Sequence, residues 1–76
     1  MKTIAIIGAG NMGGAIARGL TQSNLISQIT VSDINQDALN ALAAFNSKIK
    51  TVSNNAQAVK DADIVILAVK PWLVQT

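Results

Sequence analysis

Apolar residues fall along the chain in short runs separated by polar or glycine-rich breaks, and the spacing within the runs alternates between two periods. Ile4-Ala5-Ile6-Ile7, Ile29-Thr30-Val31-Ser32, Ile49 to Val52 and Ile64 to Val69 are short and rich in β-branched residues, and each reads as a strand. Between them lie two helical stretches: Ala15-Ile16-Ala17-Arg18-Gly19-Leu20, and Gln36 to Phe45, where Leu39, Leu42 and Phe45 are spaced to form one buried face. Ser23-Asn24 and Asn46-Ser47 close these helices, and Asn54 or Asn55 can cap a short third helix over Ala56 to Lys60. The first and fourth runs are apolar at every position, which is how strands read when helices cover both faces of a parallel sheet. Right-handed crossovers then predict an α/β fold with four parallel strands in the spatial order 3-2-1-4.

Composition narrows what such a fold can do. Seventy-six residues make at most one small domain, so nothing larger than half of a doubly wound sheet fits. The net charge of +2 comes from scattered residues without a basic run, and one Trp and one Phe offer little to stack on bases, so neither nucleic acid nor an anionic membrane is expected as a partner. Cysteine is absent, which removes disulfides and thiol catalysis and suits a reducing, cytoplasmic setting. Histidine is absent too, taking away the commonest general base and metal ligand, and no metal site is expected. The run behind Met1-Lys2 ends after four residues, short of the ~7 to 15 of a secretory h-region, and Ile64 to Val69 is far below the ~20 of a membrane span. A soluble chain is the expectation.

The break after the first strand carries the candidate chemistry. Gly8, Gly10 and Gly13 match G-x-G-x-x-G, between a strand and a helix, and each glycine answers a separate demand: a tight turn, close approach of backbone to a pyrophosphate, and close packing of helix on strand. The following helix would aim unpaired N–H groups at the phosphates. Asp33 lies 20 positions after Gly13 at the end of the second strand, where a carboxylate can meet the adenosine ribose hydroxyls; it can also serve as a turn or cap residue, since Asp33-Ile34-Asn35-Gln36-Asp37 reads as a loop entering a helix. Together these features make the sheet a partial, Rossmann-like dinucleotide-binding unit, with its crevice at the C-terminal ends of strands 1 and 4.

Ile7-Gly8-Ala9-Gly10-Asn11-Met12-Gly13, the pair Asn54-Asn55, Ala62-Asp63 and Ala68-Val69-Lys70-Pro71 together resemble the pyrroline-5-carboxylate reductase family over essentially the whole chain. The resemblance implies a reductase that moves hydride from a nicotinamide cofactor, usually NADPH, to the C=N bond of the small-molecule substrate 1-pyrroline-5-carboxylate, giving L-proline. It places Ile7, Gly8, Ala9, Gly10, Asn11, Met12 and Gly13 at the cofactor's pyrophosphate, Asp33 and Ile34 at the adenosine ribose, and Asn55 on the adenosine side. Ala68, Val69, Lys70 and Pro71 line the nicotinamide end in the same reading. Asn55 has a second role open to it as a helix cap, Lys70 as a solvated charge, and Met12 as core filler. One departure bears on the cofactor: a carboxylate and the apolar Ile34 stand where NADPH-selective enzymes commonly carry a basic or small polar residue, and no Arg or Lys follows until Lys48. The cofactor is therefore NADP by family habit and NAD by Asp33.

Two observations suggest a longer enzyme. Charged residues are 13% of the chain where soluble domains average about 25%, and Ile64 to Val69 has a central strand's composition although only seven residues follow it. Residues 1–76 are expected to be the N-terminal part of the dinucleotide-binding domain. The family's substrate-carboxylate site and its helical dimerisation domain would lie beyond, so the catalytic residues are unknown and a homo-oligomer is expected only of the whole protein. Other enzymes sharing the turn, 3-hydroxyacid dehydrogenases and deazaflavin-dependent NADP reductases, are alternatives that the Val69-Lys70-Pro71 ending disfavours. A nucleotide-sensing module without catalysis is a third.

Overall fold

The computed structural model describes residues 2–68. Strands and helices alternate through them: β1 (Lys2–Ile7), α1 (Asn11–Leu20), β2 (Ile26–Ser32), α2 (Gln36–Phe45), β3 (Ile49–Val52), α3 (Asn55–Val59) and β4 (Ile64–Leu67). All strand pairs are parallel, in the order β3-β2-β1-β4, as the sequence predicts for this Rossmann-like α/β fold. Register places Ile7 beside Ser32 and Leu67, and Ser32 beside Val52, so the four strands end on one line. Gly8, Asp33, Ser53 and Ala68 consequently leave the sheet side by side.

The core forms where β1 and β2 meet the inner faces of the helices. Ala5, Ile6, Ile29 and Val31 are wholly buried, with Leu39 and Leu42 of α2 and Ala17 of α1 closing over the sheet. β1 is enclosed as its unbroken apolar run predicts. β4 is not, for Ile64, Val65 and Leu67 are all exposed, Leu67 at 70%. Its composition suits a strand covered on both faces, but it lies at the sheet edge. The predicted extension of this strand to Val69 lies outside the described residues.

The spacing predicts Phe45 in the buried face of α2, and the structure leaves it 49% exposed. Each three-residue step falls about 60° short of a full helical turn, so by Phe45 the stripe has rotated well away from Leu39. The ring lies under the guanidinium of Arg18 on α1, 5.8 Å from its centroid, a cation–π contact at the edge of the helix pair. β2 begins three residues earlier than predicted, with Ile26 buried, because an irregularity between Lys2 and Thr3 lets the β1–β2 ladder continue downward.

α1 starts at Asn11, earlier than the helix-forming run at Ala15, and so contains Gly13 and Gly14. Helical glycines cost about 1 kcal/mol each relative to alanine. Packing requires this at Gly13: a Cβ there would stand 1.8 Å from the Gly8 carbonyl oxygen and 3.3 Å from the Ala68 Cβ. At the far end of α1, Lys48 donates from Nζ to the carbonyls of Thr21 (3.1 Å) and Ser23 (2.9 Å). A cation is thereby set where the helix dipole is negative.

Candidate functional site

The site lies where β1, β2 and β3 run out. Gly8 has φ 109, a left-handed conformation that turns the chain sharply off β1 and that L side chains rarely adopt. Gly10 then takes the N-cap position of α1 without a side-chain capping bond, and a Cβ there would meet nothing within 4 Å. Gly8 makes the turn and Gly13 admits the helix against the strand, as the motif predicts, while at Gly10 the space a side chain would take is open. The first amides of a helix have no intrahelical acceptor, and in α1 they follow directly on the glycine turn.

A cleft of about 390 Å³ adjoins the turn, within the size range of small-molecule sites. Ile7, Gly8, Asp33, Ile34 and Asn55 line it, five of the residues singled out from sequence. Gly10, Asn11 and Met12 lie exposed at the head of α1, while Ala9 and Gly13 are buried beneath it. Ala68 is buried at the end of β4, its N–H donating to the Ile7 carbonyl at 2.8 Å and its methyl group beside Gly13. Val69, Lys70 and Pro71 lie outside the described residues.

Asp33 is half-buried and engaged through both oxygens. Oδ2 accepts the Ala9 N–H at 2.6 Å, and Oδ1 accepts the Asn35 N–H at 2.9 Å. Burial pushes its pKa up, but the opposing N–H groups of Ala9, Asn35 and Ile34 outweigh it and hold the carboxyl below the usual range. The group is a carboxylate at neutral pH. Ile34 beside it is 95% exposed, an apolar side chain standing free at the cleft.

Two further lining residues, Ser32 and Ser53, belong to none of the motifs above. Ser32 is almost wholly buried, and its hydroxyl donates to Asn55 Oδ1 at 2.5 Å. The cap of α3 is Asn54, whose side chain accepts the Gln57 N–H, so of the two roles open to Asn55 capping falls to its neighbour. With Oδ1 occupied by Ser32, Asn55 has its amide NH2 left to offer. A small polar residue closing an apolar run directly before an acid was the available signal for Ser32. Lys48, the first cation after Asp33, is committed to the C-terminus of α1.

The residues present fit a dinucleotide on two counts: the space that a Gly10 side chain would fill is open, and a carboxylate borders the adjoining cleft. A family model described as NADP oxidoreductase, coenzyme F420-dependent, matches residues 3–76. The chain belongs to this family. It is accordingly an oxidoreductase-family domain of the kind that takes a nicotinamide dinucleotide. Among curated proteins it is 44% identical over 69 residues to the pyrroline-5-carboxylate reductase of Pseudomonas aeruginosa, covering 90% of this chain and 25% of that protein. It is 39% identical over 72 residues to the pyrroline-5-carboxylate reductase of Vibrio alginolyticus, covering 95% and 26%. An L-lactate dehydrogenase of Clostridium perfringens is 39% identical over 71 residues, covering 84% and 22%. The chain thus spans about a quarter of the length of these relatives. No solved structure matches it. Among the described residues, no helix is long and apolar enough to cross a membrane.

Proposed function

We propose that the chain is the cofactor-binding part of a pyrroline-5-carboxylate reductase, serving proline biosynthesis in the cytoplasm. The observation that carries this reading is the glycine turn with its open N-cap at Gly10, set beside Asp33 at the common end of β1 and β2. The curated reductases, alike over nine-tenths or more of the chain, supply the reaction. In it, Gly8 and Gly10 let the backbone approach a pyrophosphate, and the amides at the head of α1 neutralise its charge. Asp33 receives ribose hydroxyls on lone pairs that Ala9 and Asn35 do not use, and Ile34 lies against the adenosine. Ala68, with Val69, Lys70 and Pro71 following, borders the nicotinamide end. A reduced nicotinamide bound there supplies hydride to the C=N carbon of 1-pyrroline-5-carboxylate.

The substrate's carboxylate site, the proton donor and a helical dimerisation domain belong to the rest of the enzyme in this proposal. Titration of the chain with NADH and NADPH tests the cofactor half; absence of binding to both would end it. Exchanging the chain for the matching segment of the Pseudomonas aeruginosa reductase tests the rest, the expected outcome being a chimera that still reduces 1-pyrroline-5-carboxylate. A second reading, an NADP oxidoreductase working with coenzyme F420, has the family's description in its favour. The Ala68-Val69-Lys70-Pro71 run speaks for the first.

A further inference from the structure

We infer that Asp33 is a positioning residue for the glycine turn as well as a ribose ligand. This rests on the cofactor reading above and adds to it a mechanical role for the carboxylate. The backbone pairing of β1 with β2 ends at the Gly8 N–H, which donates to the Ser32 carbonyl at 2.8 Å. The next amide along, Ala9, has passed the left-handed turn at Gly8 and leaves the ladder. Its N–H meets Asp33 Oδ2 at 2.6 Å, so a side chain continues the strand pairing one residue beyond the backbone. Ala9 is only 5% exposed, and without the carboxylate its N–H would be a buried donor lacking an acceptor.

The other oxygen fixes the second loop. Oδ1 accepts from Asn35, whose own side chain caps α2 by accepting the Ala38 N–H. Asp33 is itself tied outward to β3 through its N–H on the Val52 carbonyl at 3.4 Å. One carboxylate therefore sets the separation between the turn that meets a pyrophosphate and the loop that meets a ribose. Two consequences follow. The Ala9 amide is spent on Asp33, which leaves Gly10, Asn11 and Met12 as the phosphate donors of the turn. The carboxylate also cannot swing aside for a 2'-phosphate without releasing the turn, so removing it does not simply convert the site from NADH to NADPH.

The test compares wild type, Asp33→Ala and Asp33→Asn with NADH, NADPH and 2',3'-dideoxy-ADP, which keeps the pyrophosphate and lacks the hydroxyls a ribose ligand would touch. A positioning role predicts that Asp33→Ala weakens 2',3'-dideoxy-ADP about tenfold and weakens both cofactors. Asp33→Asn, which retains one acceptor oxygen for Ala9, is expected to fall between. In the ligand-free chain, hydrogen exchange at the Ala9 amide should be about tenfold faster in Asp33→Ala at unchanged helix content. Unchanged binding of 2',3'-dideoxy-ADP together with a gain in NADPH affinity would reduce Asp33 to a selector and overturn the inference. Should wild type bind no nucleotide, the cofactor reading fails, and Ala9 exchange decides the positioning role by itself: no acceleration in either variant refutes it.

Discussion

Asp33 and Asp63 do the same chemistry at opposite ends of β1. At the C-terminal end Asp33 accepts the Ala9 N–H; at the N-terminal end Asp63 Oδ2 accepts the Thr3 N–H at 2.8 Å. Asp63 is held below the usual carboxylate range chiefly by that backbone bond, with the Thr3 hydroxyl and the charge of Lys2 assisting. Its bonds form a closed set with Thr3: the Asp63 N–H returns to the Thr3 carbonyl, and the Thr3 hydroxyl also reaches the Asp61 carbonyl. That end of the sheet is a clip between β1 and β4. At the other end the partners of Asp33 belong to two different loops, and the cleft with Ser32 and Asn55 opens beside it. A carboxylate that closes on one strand pair locks the sheet, whereas one that spans two loops shapes a site.

Gly13→Ala should break the site end most severely. Its Cβ would enter the Gly8 carbonyl, so the turn or α1 must move, at a cost of about 3 kcal/mol or more, which urea denaturation would register as a large fall in midpoint. Gly10→Val should leave the fold standing, since its Cβ meets open space, and abolish measurable cofactor binding. Retained helix content with lost NADH binding is the expected pair of readings. Near-wild-type affinity in that variant would refute the placement of the pyrophosphate.

Asp33→Ala and Asp63→Ala should then separate the two ends. The first is expected to lose cofactor affinity and, by orphaning the Ala9 N–H, about 1 to 3 kcal/mol of stability. The second should lower the melting temperature modestly and leave cofactor affinity untouched, because the Asp63 clip lies at the far end of β1 from the cleft. Equal effects on binding would erase the contrast. The smallest effect is on pH dependence. Both carboxyls have folded pKa values below their unfolded ones, so the stability they contribute is present above pH about 4 and lost as pH falls through the folded values. The double variant should show a flatter acid limb in a melting-temperature profile than wild type does.

Much of the fold was legible because its signals are local. Unbroken apolar runs, glycines at Gly8 and Gly13, and Leu39 and Leu42 one turn apart mark the elements and part of the core, and the right-handedness of crossovers then gives the order 3-2-1-4. The shape of the turn was legible from its glycines, since Gly8 takes a left-handed conformation and Gly13 lies against the Gly8 carbonyl. What escaped was set across the chain. Ser32 and Ser53 became lining residues through register, and Phe45 left the core because helical rotation carried it toward Arg18 on a different helix.

By itself the sequence determined the alternation of strands and helices, the turn, and an acid at the end of β2, because each depends on residues within a few positions of one another. Only the tertiary structure decided what those groups do to each other. Asp33 finds Ala9 across 24 positions, Ser32 finds Asn55 across 23, and Lys48 finds the end of α1 across 27 and 25. The physical reason is directional: a hydrogen bond needs its donor and acceptor within about 3 Å and aligned, and only the parallel register of the sheet brings residues that far apart to such distances.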